Sequence, residues 1–284
     1  MFTSLAFVTS MYGNTSYPVT YAVVDMIEGS LTLYLMIIIV FYGGQLIWKE
    51  RDPQIDGIVN ALPMATRTGL LAKLAALIGV VVVVHLFATM AGMITQVLNG
   101  YTRIQPMVYL TYFIIPSTIQ FIIWSCLAML VHVLVNNKYL GFFAFIVVFL
   151  LNAFGWSGLD VESNLVRFNG SSGLRFSDMS GFGPFLKNWL FFRAYWLLAA
   201  GLLIYVAYLF VVRGNDITLR WRAYLAKGRF RGSWPVAAML GGAWVVMAGF
   251  GYYNTKVLNT YQTSDEAEEE QGSYEKTYKR FENM

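Results

Sequence analysis

An all-α polytopic membrane protein is predicted here by three features: six apolar stretches long enough to cross a bilayer, short charged connections between them, and an unusually apolar composition. Hydrophobic residues are 57% of the 284 positions and charged residues 13%, and the 21 Phe, 18 Tyr and 8 Trp exceed the usage of soluble chains. A large soluble domain would need more surface charge. The single cysteine, Cys126 in the run FIIWSCLAML, excludes a disulfide within the chain and reads as a small apolar filler. The start, MFTSLAFVTSMYG, has no basic leader and no clear cleavage signature, so it is expected to be retained.

The first span is placed at residues 29–48, where SLTLYLMIIIVFYGGQLIW supplies the roughly 20 residues that cover a hydrocarbon core about 30 Å thick, with Trp48 and Lys49 marking its edge. The second is placed at 70–97, the third at 107–135 and the fourth at 139–156, the last just long enough to span if it stands nearly upright. Asn136, Asn137 and Lys138 alone separate the third from the fourth, which makes those helices antiparallel neighbours. Spans at 189–212 and 234–253 complete the six. The chain then divides into an extracytoplasmic segment at 1–28, a six-helix membrane domain at 29–253 and a charged stalk at 254–284.

Orientation follows from the connections. RGNDITLRWRAYLAKGRFRGSW holds six basic residues, Arg213, Arg220, Arg222, Lys227, Arg229 and Arg231, against one acid, and the positive-inside rule makes these six the topology anchors. The 49–73 and 136–138 connections fall on the same, cytoplasmic side, while the N-terminus, the loops at 99–105 and 157–188 and the tail fall outside. The tail carries an acidic run followed by Tyr274, Tyr278 and Phe281 at helical spacing, which suits a short amphipathic helix.

Few polar residues interrupt the spans. Gly43, Gly44, Gly79, Gly241, Gly242, Gly249 and Gly251 suit close helix packing in lipid. Glu28 is expected at the outer end of the first span and Arg193 near the start of the fifth; His85 interrupts VVVVHLF as an interhelical hydrogen bonder or a tolerated polar site, and His132 lies nearer the cytoplasmic edge. There is no HExxH, no phosphate-binding GxxxxGK and no GxSxG, so no catalytic residue, metal site or cofactor is expected. SDMSGFG at 177–183 reads as a turn leading back into the fifth span.

The most informative polar segment is WKERDPQIDGIVNALPMATRTGLLAKLAAL. Ile55, Ile58, Val59 and Leu62 recur on one helical stripe with Asp56 and Asn60 facing away, and Pro63 ends the helix. Such a helix lies in the membrane interface, either against lipid alone or as a docking surface for a soluble subunit. An interfacial helix between the first two of six spans, with Glu50 ahead of Asp56-Gly57, then Leu62-Pro63 and Lys73, resembles the type 2 ABC exporter permeases. The closer resemblance is to the C-terminal membrane half of a bacterial family in which twelve spans are fused to an extracytoplasmic thermolysin-like aminopeptidase. YPVTYAVVDMIEGS, FYGGQLIWKERD, IVNALPM, LVNNKYLGFF, FSDMSGFG, VRG, YYNTKVLNTY and YEKTYKR carry it, nearly end to end.

The resemblance implies a coupling helix that sits on an ABC ATPase subunit, with Glu50, Gln54, Ile55, Ile58, Val59 and Leu62 as the docking candidates. It also implies a second permease half or a homodimer partner, a location in the bacterial inner membrane, and export of a substrate that the residues do not name. The first six spans, the zinc motif and any ATPase motif are absent from this sequence, so the chain by itself is expected neither to cleave peptides nor to hydrolyse ATP. A secondary transporter, a non-transporting scaffold and a remnant of a larger fusion protein are the alternatives the residues leave open. The basic patch is too slight for nucleic-acid binding, and its remaining roles are contacts with lipid or the ATPase.

Overall fold

The computed structural model describes residues 10–11, 14–15, 17–53, 55–135, 137–159, 161–177, 179–183, 185–212, 219–259 and 263–279. Ser10–Met11 pairs antiparallel with Asn14–Thr15, and the other regular elements are helices. These are α1 (Thr20–Trp48), the short α2 (Asp56–Ala61), α3 (Thr66–Leu98), α4 (Pro106–Val135), α5 (Lys138–Gly155), α6 (Phe185–Phe210), α7 (Leu219–Tyr252) and α8 (Ser264–Tyr278). A π-helical turn, Tyr253–Leu258, continues α7. Six of the helices are long and apolar enough to cross a membrane, so the fold is that of an all-α multi-pass membrane protein.

Successive spans alternate in direction and leave the bundle with two ends. The α2 end also carries the start of α7, and the α8 end carries the loop between α5 and α6. Two of the six predicted spans, α4 and α5, agree with the helices to within a residue at each end, while α1, α3 and α6 begin four to nine residues earlier than predicted. The largest difference is at α7, which begins fifteen residues ahead of the predicted 234 and takes most of the expected basic loop into helix. Its Pro235 lies inside the helix, and the neighbouring Ser233 hydroxyl donates back to Arg229 O at 2.7 Å.

Helix α4 is the centre of the bundle. It packs on α1, α3, α5 and α6, whereas among the described residues α7 packs chiefly on α6. Accordingly 56% of the apolar window of α4 is buried within the chain, against 6% for α7. Aromatic edges dominate the interior: Trp124 of α4 meets Phe145, Phe149 and Phe168 in T-shaped contacts at 6.1, 5.5 and 5.0 Å. One buried polar cluster is paired across helices. Gln96 of α3 donates to Pro18 O (2.9 Å) and Thr20 Oγ1 (3.2 Å) and accepts from Tyr109 of α4 at 2.9 Å, which joins three elements at the α8 end.

The turn between α4 and α5 is as tight as predicted. Asn137 caps α5 by accepting from the backbone N–H of Tyr139 and Leu140, both at 3.1 Å. Within α4, Pro116 lacks an N–H, and the stretch before it, Tyr109–Ile114, shifts to π-helical register, Ile115 N–H reaching back five residues to Leu110 O. Helix α8 opens on a reciprocal capping box in which Glu266 N–H donates to Thr263 Oγ1 (3.3 Å) and Thr263 N–H to Glu266 Oε2 (3.0 Å). The predicted tail helix is therefore present but includes the acidic run; Phe281 lies outside the described residues.

The loop between α5 and α6 folds back into the bundle, and helix side chains satisfy its backbone. Trp196 Nε1 donates to Asn164 O, Tyr195 Oη to Leu165 O and Asn152 Nδ2 to Phe168 O, each at 3.2 Å. Asn169 adopts a left-handed φ of 59°, which asparagine tolerates, and Gly170 follows where a Cβ would come within 2.9 Å of Arg167 O.

Candidate functional site

Two regions gather the polar side chains that the spans otherwise lack. The first is the α2 end. Trp48 closes α1, Arg51 lies 4.9 Å from its ring centroid, and the chain turns into α2 through the bond from Ile55 N–H to Glu50 O at 3.1 Å. Two ion pairs brace this turn: Glu50 to Lys73 of α3 at 2.8 Å, and Asp52 to Lys138 of α5 at 2.6 Å. Both are partly exposed, so each contributes under about 1 kcal/mol and acts mainly to set geometry.

Helix α2 presents part of the predicted stripe. Ile55, Ile58 and Leu62 are exposed, Ile58 most of all at 72%, and Leu62 ends the helix directly before Pro63. Val59 instead turns back half-buried and lines a cavity of about 100 Å³ with Glu50, Lys73, Leu70 and His132. The single stripe read from spacing is therefore split between an outward face and an inward prop. Gln54 lies outside the described residues.

Of the six basic anchors, Arg213 lies outside the described residues, and Arg220, Lys227 and Arg231 are exposed on α7. The other two do something that spacing did not reveal. Arg222 is only 2% exposed, and its guanidinium donates to Phe210 O, Leu134 O and Val133 O, closing the C-terminal ends of α6 and α4 together. Arg229 reaches Tyr208 O and Leu209 O at 2.9 Å and Val211 O at 2.7 Å. Planar guanidinium groups at helix C-termini meet both the free carbonyls and the negative end of the helix dipole.

The predicted packing glycines divide likewise. At Gly44 a side chain would collide with His132 and Phe142, whereas at Gly43 a Cβ would make ordinary contact with Ala128. Gly251 meets Phe191 and Leu165. Gly79, Gly241, Gly242 and Gly249 have nothing within 4 Å of a Cβ position among the described residues, so they pack no helix of this chain. Gly92 and Gly141, not singled out from the sequence, are tightly packed, against Tyr109 and His132 respectively.

Of the two histidines, His85 is a tolerated polar site and His132 the one that bonds between helices. His85 bonds within its own helix, Nδ1 donating to Val81 O at 2.8 Å, and packs between Phe113 and Phe121. His132 makes the interhelical bond, Nε2 donating to Val40 O of α1 at 3.2 Å.

The second region lies toward the α8 end, where α1, α4, α6 and the folded-back loop surround a cleft of about 670 Å³. Its wall includes Asp25 and Glu28 from α1, Tyr112 and Gln120 from α4, and Trp189 and Arg193 from α6. Glu28 was expected at the edge of the first span, but α1 starts at Thr20 and places it two turns inside, about 12 Å along the helix. Tyr112 donates to Asp25 Oδ1 at 2.7 Å and Ser117 to Glu28 Oε1 at 3.3 Å.

Arg193, 6% exposed, ties the loop to the wall: it donates to Asn169 Oδ1 (2.5 Å), Ser171 Oγ (2.9 Å) and Gln120 Oε1 (3.3 Å). No family model matches this chain, and neither curated proteins nor solved structures yield a match. The functional reading therefore rests on these two regions and on the sequence pattern. Asp25 and the loop acceptors of Arg193 were not anticipated; the one available signal was that Asp25 and Glu28 stand three residues apart, on one helix face, directly ahead of an apolar run.

Proposed function

We propose that this chain is one membrane half of an ABC exporter, moved by a separate ATPase subunit that docks on α2, with that end of the bundle in the cytoplasm of a bacterial cell. The observation that carries this reading is α2 itself. It is a short helix between the first two spans that exposes Ile55, Ile58 and Leu62. The adjacent turn is braced to α3 and α5 by the Glu50–Lys73 and Asp52–Lys138 pairs. A push on α2 is thereby delivered to three spans rather than absorbed by a loose loop. The proposed mechanism is alternating access: closure of the ATPases displaces α2, the attached spans tilt, and a route opens between two permease halves.

The open side of α7 suits the second half. Beyond its start, where Arg222 reaches α4, that helix packs chiefly on α6 among the described spans, and a Cβ at Gly241, Gly242 or Gly249 would meet nothing within 4 Å among the described residues. Small residues let a partner backbone approach closely in lipid. Arg222 and Arg229 fix the start of α7 to the ends of α4 and α6.

Affinity purification of the detergent-solubilised chain from its native host, followed by mass spectrometry, tests the reading. An ABC ATPase and a second six-span protein are expected in the eluate. Ile58→Asp places a charge on the most exposed apolar residue of α2 and is expected to remove the ATPase while leaving the size-exclusion profile of the membrane protein unchanged. Recovery of the chain alone, in a preparation that preserves other ABC complexes, or retention of the ATPase by Ile58→Asp, would overturn the docking assignment.

A further inference from the structure

The cleft toward the α8 end has the wrong inventory for a packing defect. Two carboxylates on a membrane-spanning helix are costly unless they are paired or functional, and neither Asp25 nor Glu28 makes a salt bridge within 4.0 Å among the described residues. Each has one oxygen bound by a hydroxyl donor, from Tyr112 or Ser117, and a second oxygen with no protein donor among the described residues. The nearby cation does not fill that role. Arg193 commits its terminal nitrogens to the neutral oxygens of Asn169, Ser171 and Gln120.

Two further polar atoms of the lining are buried without a partner among the described residues, Arg193 Nε and Ser172 Oγ. Arg193 is more than nine-tenths buried, and its side chain lines the cleft. Tyr21, Tyr112 and Phe176 supply aromatic wall beside the carboxylates, with Tyr112 and Phe176 in ring contact at 6.0 Å. The π-helical turn of α4 that carries Tyr112 is a device seen often at functional sites. The unused hydrogen-bonding capacity at the carboxylates is that of acceptors, so what is missing there is a donor, and a charged one offsets the cost of the two acids.

We propose that this cleft binds the ammonium group of an amphipathic amine, with Asp25 and Glu28 as its acceptors and the aromatic wall of Tyr21, Tyr112 and Phe176 receiving the adjoining apolar part. Aromatic faces and carboxylates together are the usual surroundings of an ammonium. At about 670 Å³ the cleft accommodates a dipeptide-sized body or a lipid headgroup with the start of its chains. As the cargo site of a transporter it rests on the export reading above, but binding itself requires no ATPase, so the two can fail separately.

The test uses the full chain in phosphatidylglycerol nanodiscs, titrated calorimetrically with phenylalanyl-phenylalanine amide and with its N-acetyl derivative, with empty discs subtracted. A parallel native mass-spectrometry measurement on protein drawn from mixed phosphatidylethanolamine and phosphatidylglycerol bilayers asks whether the amine-bearing lipid is retained. Saturable binding of the free amine, absent for the acetylated form and weakened at least about tenfold in the Asp25→Asn, Glu28→Gln double variant, supports a peptidic amine as ligand. Selective retention of phosphatidylethanolamine, lost in the same variant, supports the headgroup. Both substitutions are near-isosteric, and the acetylated ligand makes the comparison on the unaltered protein. Absence of both signals, equal binding of both peptides, or binding unchanged in the double variant overturns the proposal, whatever copurifies with α2.

Discussion

Replacing Arg222 by methionine separates two roles that a basic residue at a membrane edge can have. As a topology anchor it would act through its charge alone, and Arg220, exposed two residues earlier on α7, would do the same work. As a brace it acts through geometry: its guanidinium meets Phe210 O, Val133 O and Leu134 O, the terminal carbonyls of two helices, while remaining 2% exposed. Leaving a buried acceptor unpaired costs about 1–3 kcal/mol. Water at the membrane surface recovers part of that for helix ends, so the low figure for three carbonyls, about 3 kcal/mol, is the expected loss. That is a roughly hundredfold fall in the folded-to-unfolded ratio. Arg220→Met removes the same charge from an exposed position and is expected to stay within about 0.5 kcal/mol of the parent. Arg222→Lys keeps the charge without the planar fork and is expected to recover only a minor share. Reversible unfolding in mixed micelles by added denaturing detergent measures all three. Equal stabilities for Arg222→Met and Arg220→Met would refute the bracing argument and return both residues to the role of anchors.

Other expectations concern the interior. Gln96→Leu removes the donor to Pro18 O and the acceptor of Tyr109 Oη and is expected to cost about 1–3 kcal/mol in the same assay; adding Tyr109→Phe is expected to restore part of it, as in any pair sharing one bond. Gly141→Val sets a side chain against the His132 ring and is expected to destabilise by about 1–3 kcal/mol, with partial rescue by His132→Ser, which makes room. Cys126, 4% exposed within the bundle, is expected to resist a membrane-permeant maleimide in the folded protein and to react fully after denaturation, as read by intact mass.

Apolar length was legible in the sequence because a bilayer leaves little choice: an apolar run of sufficient length becomes a helix. The ends of the helices were less so. The early turns of α1 contain Asp25 and Glu28, and a reading that looks for uninterrupted apolar residues starts the span after them. The helix nevertheless continues, and both carboxylates line a polar cleft. The same cause hid the first fifteen residues of α7, whose charges read as a loop, although two of its arginines turn inward onto neighbouring carbonyls. The stripe on α2 was legible as a helix but not as two faces, because spacing alone does not say which side the rest of the bundle occupies.

What sequence spacing cannot convey is the meeting of distant segments, and the cleft is made of little else. Arg193 approaches residues 24, 22 and 73 positions away, and Tyr112 reaches an aspartate 87 positions earlier. The loop between α5 and α6 is the element that brings them together: its backbone would be intolerable within the bundle but for the donors of Asn152, Tyr195 and Trp196. Those same bonds connect the cleft to the rest of the fold. Trp196 and Tyr195 lie on α6, whose far end is fixed by Arg222 and Arg229 to the start of α7, while Asp25 and Glu28 lie on α1, whose far end leads into α2. Under the proposed export reading, a displacement of α2 relative to α7 would move the carboxylate wall of the cleft relative to its arginine wall. This is the physical connection through which a push at one end of the bundle would alter binding at the other.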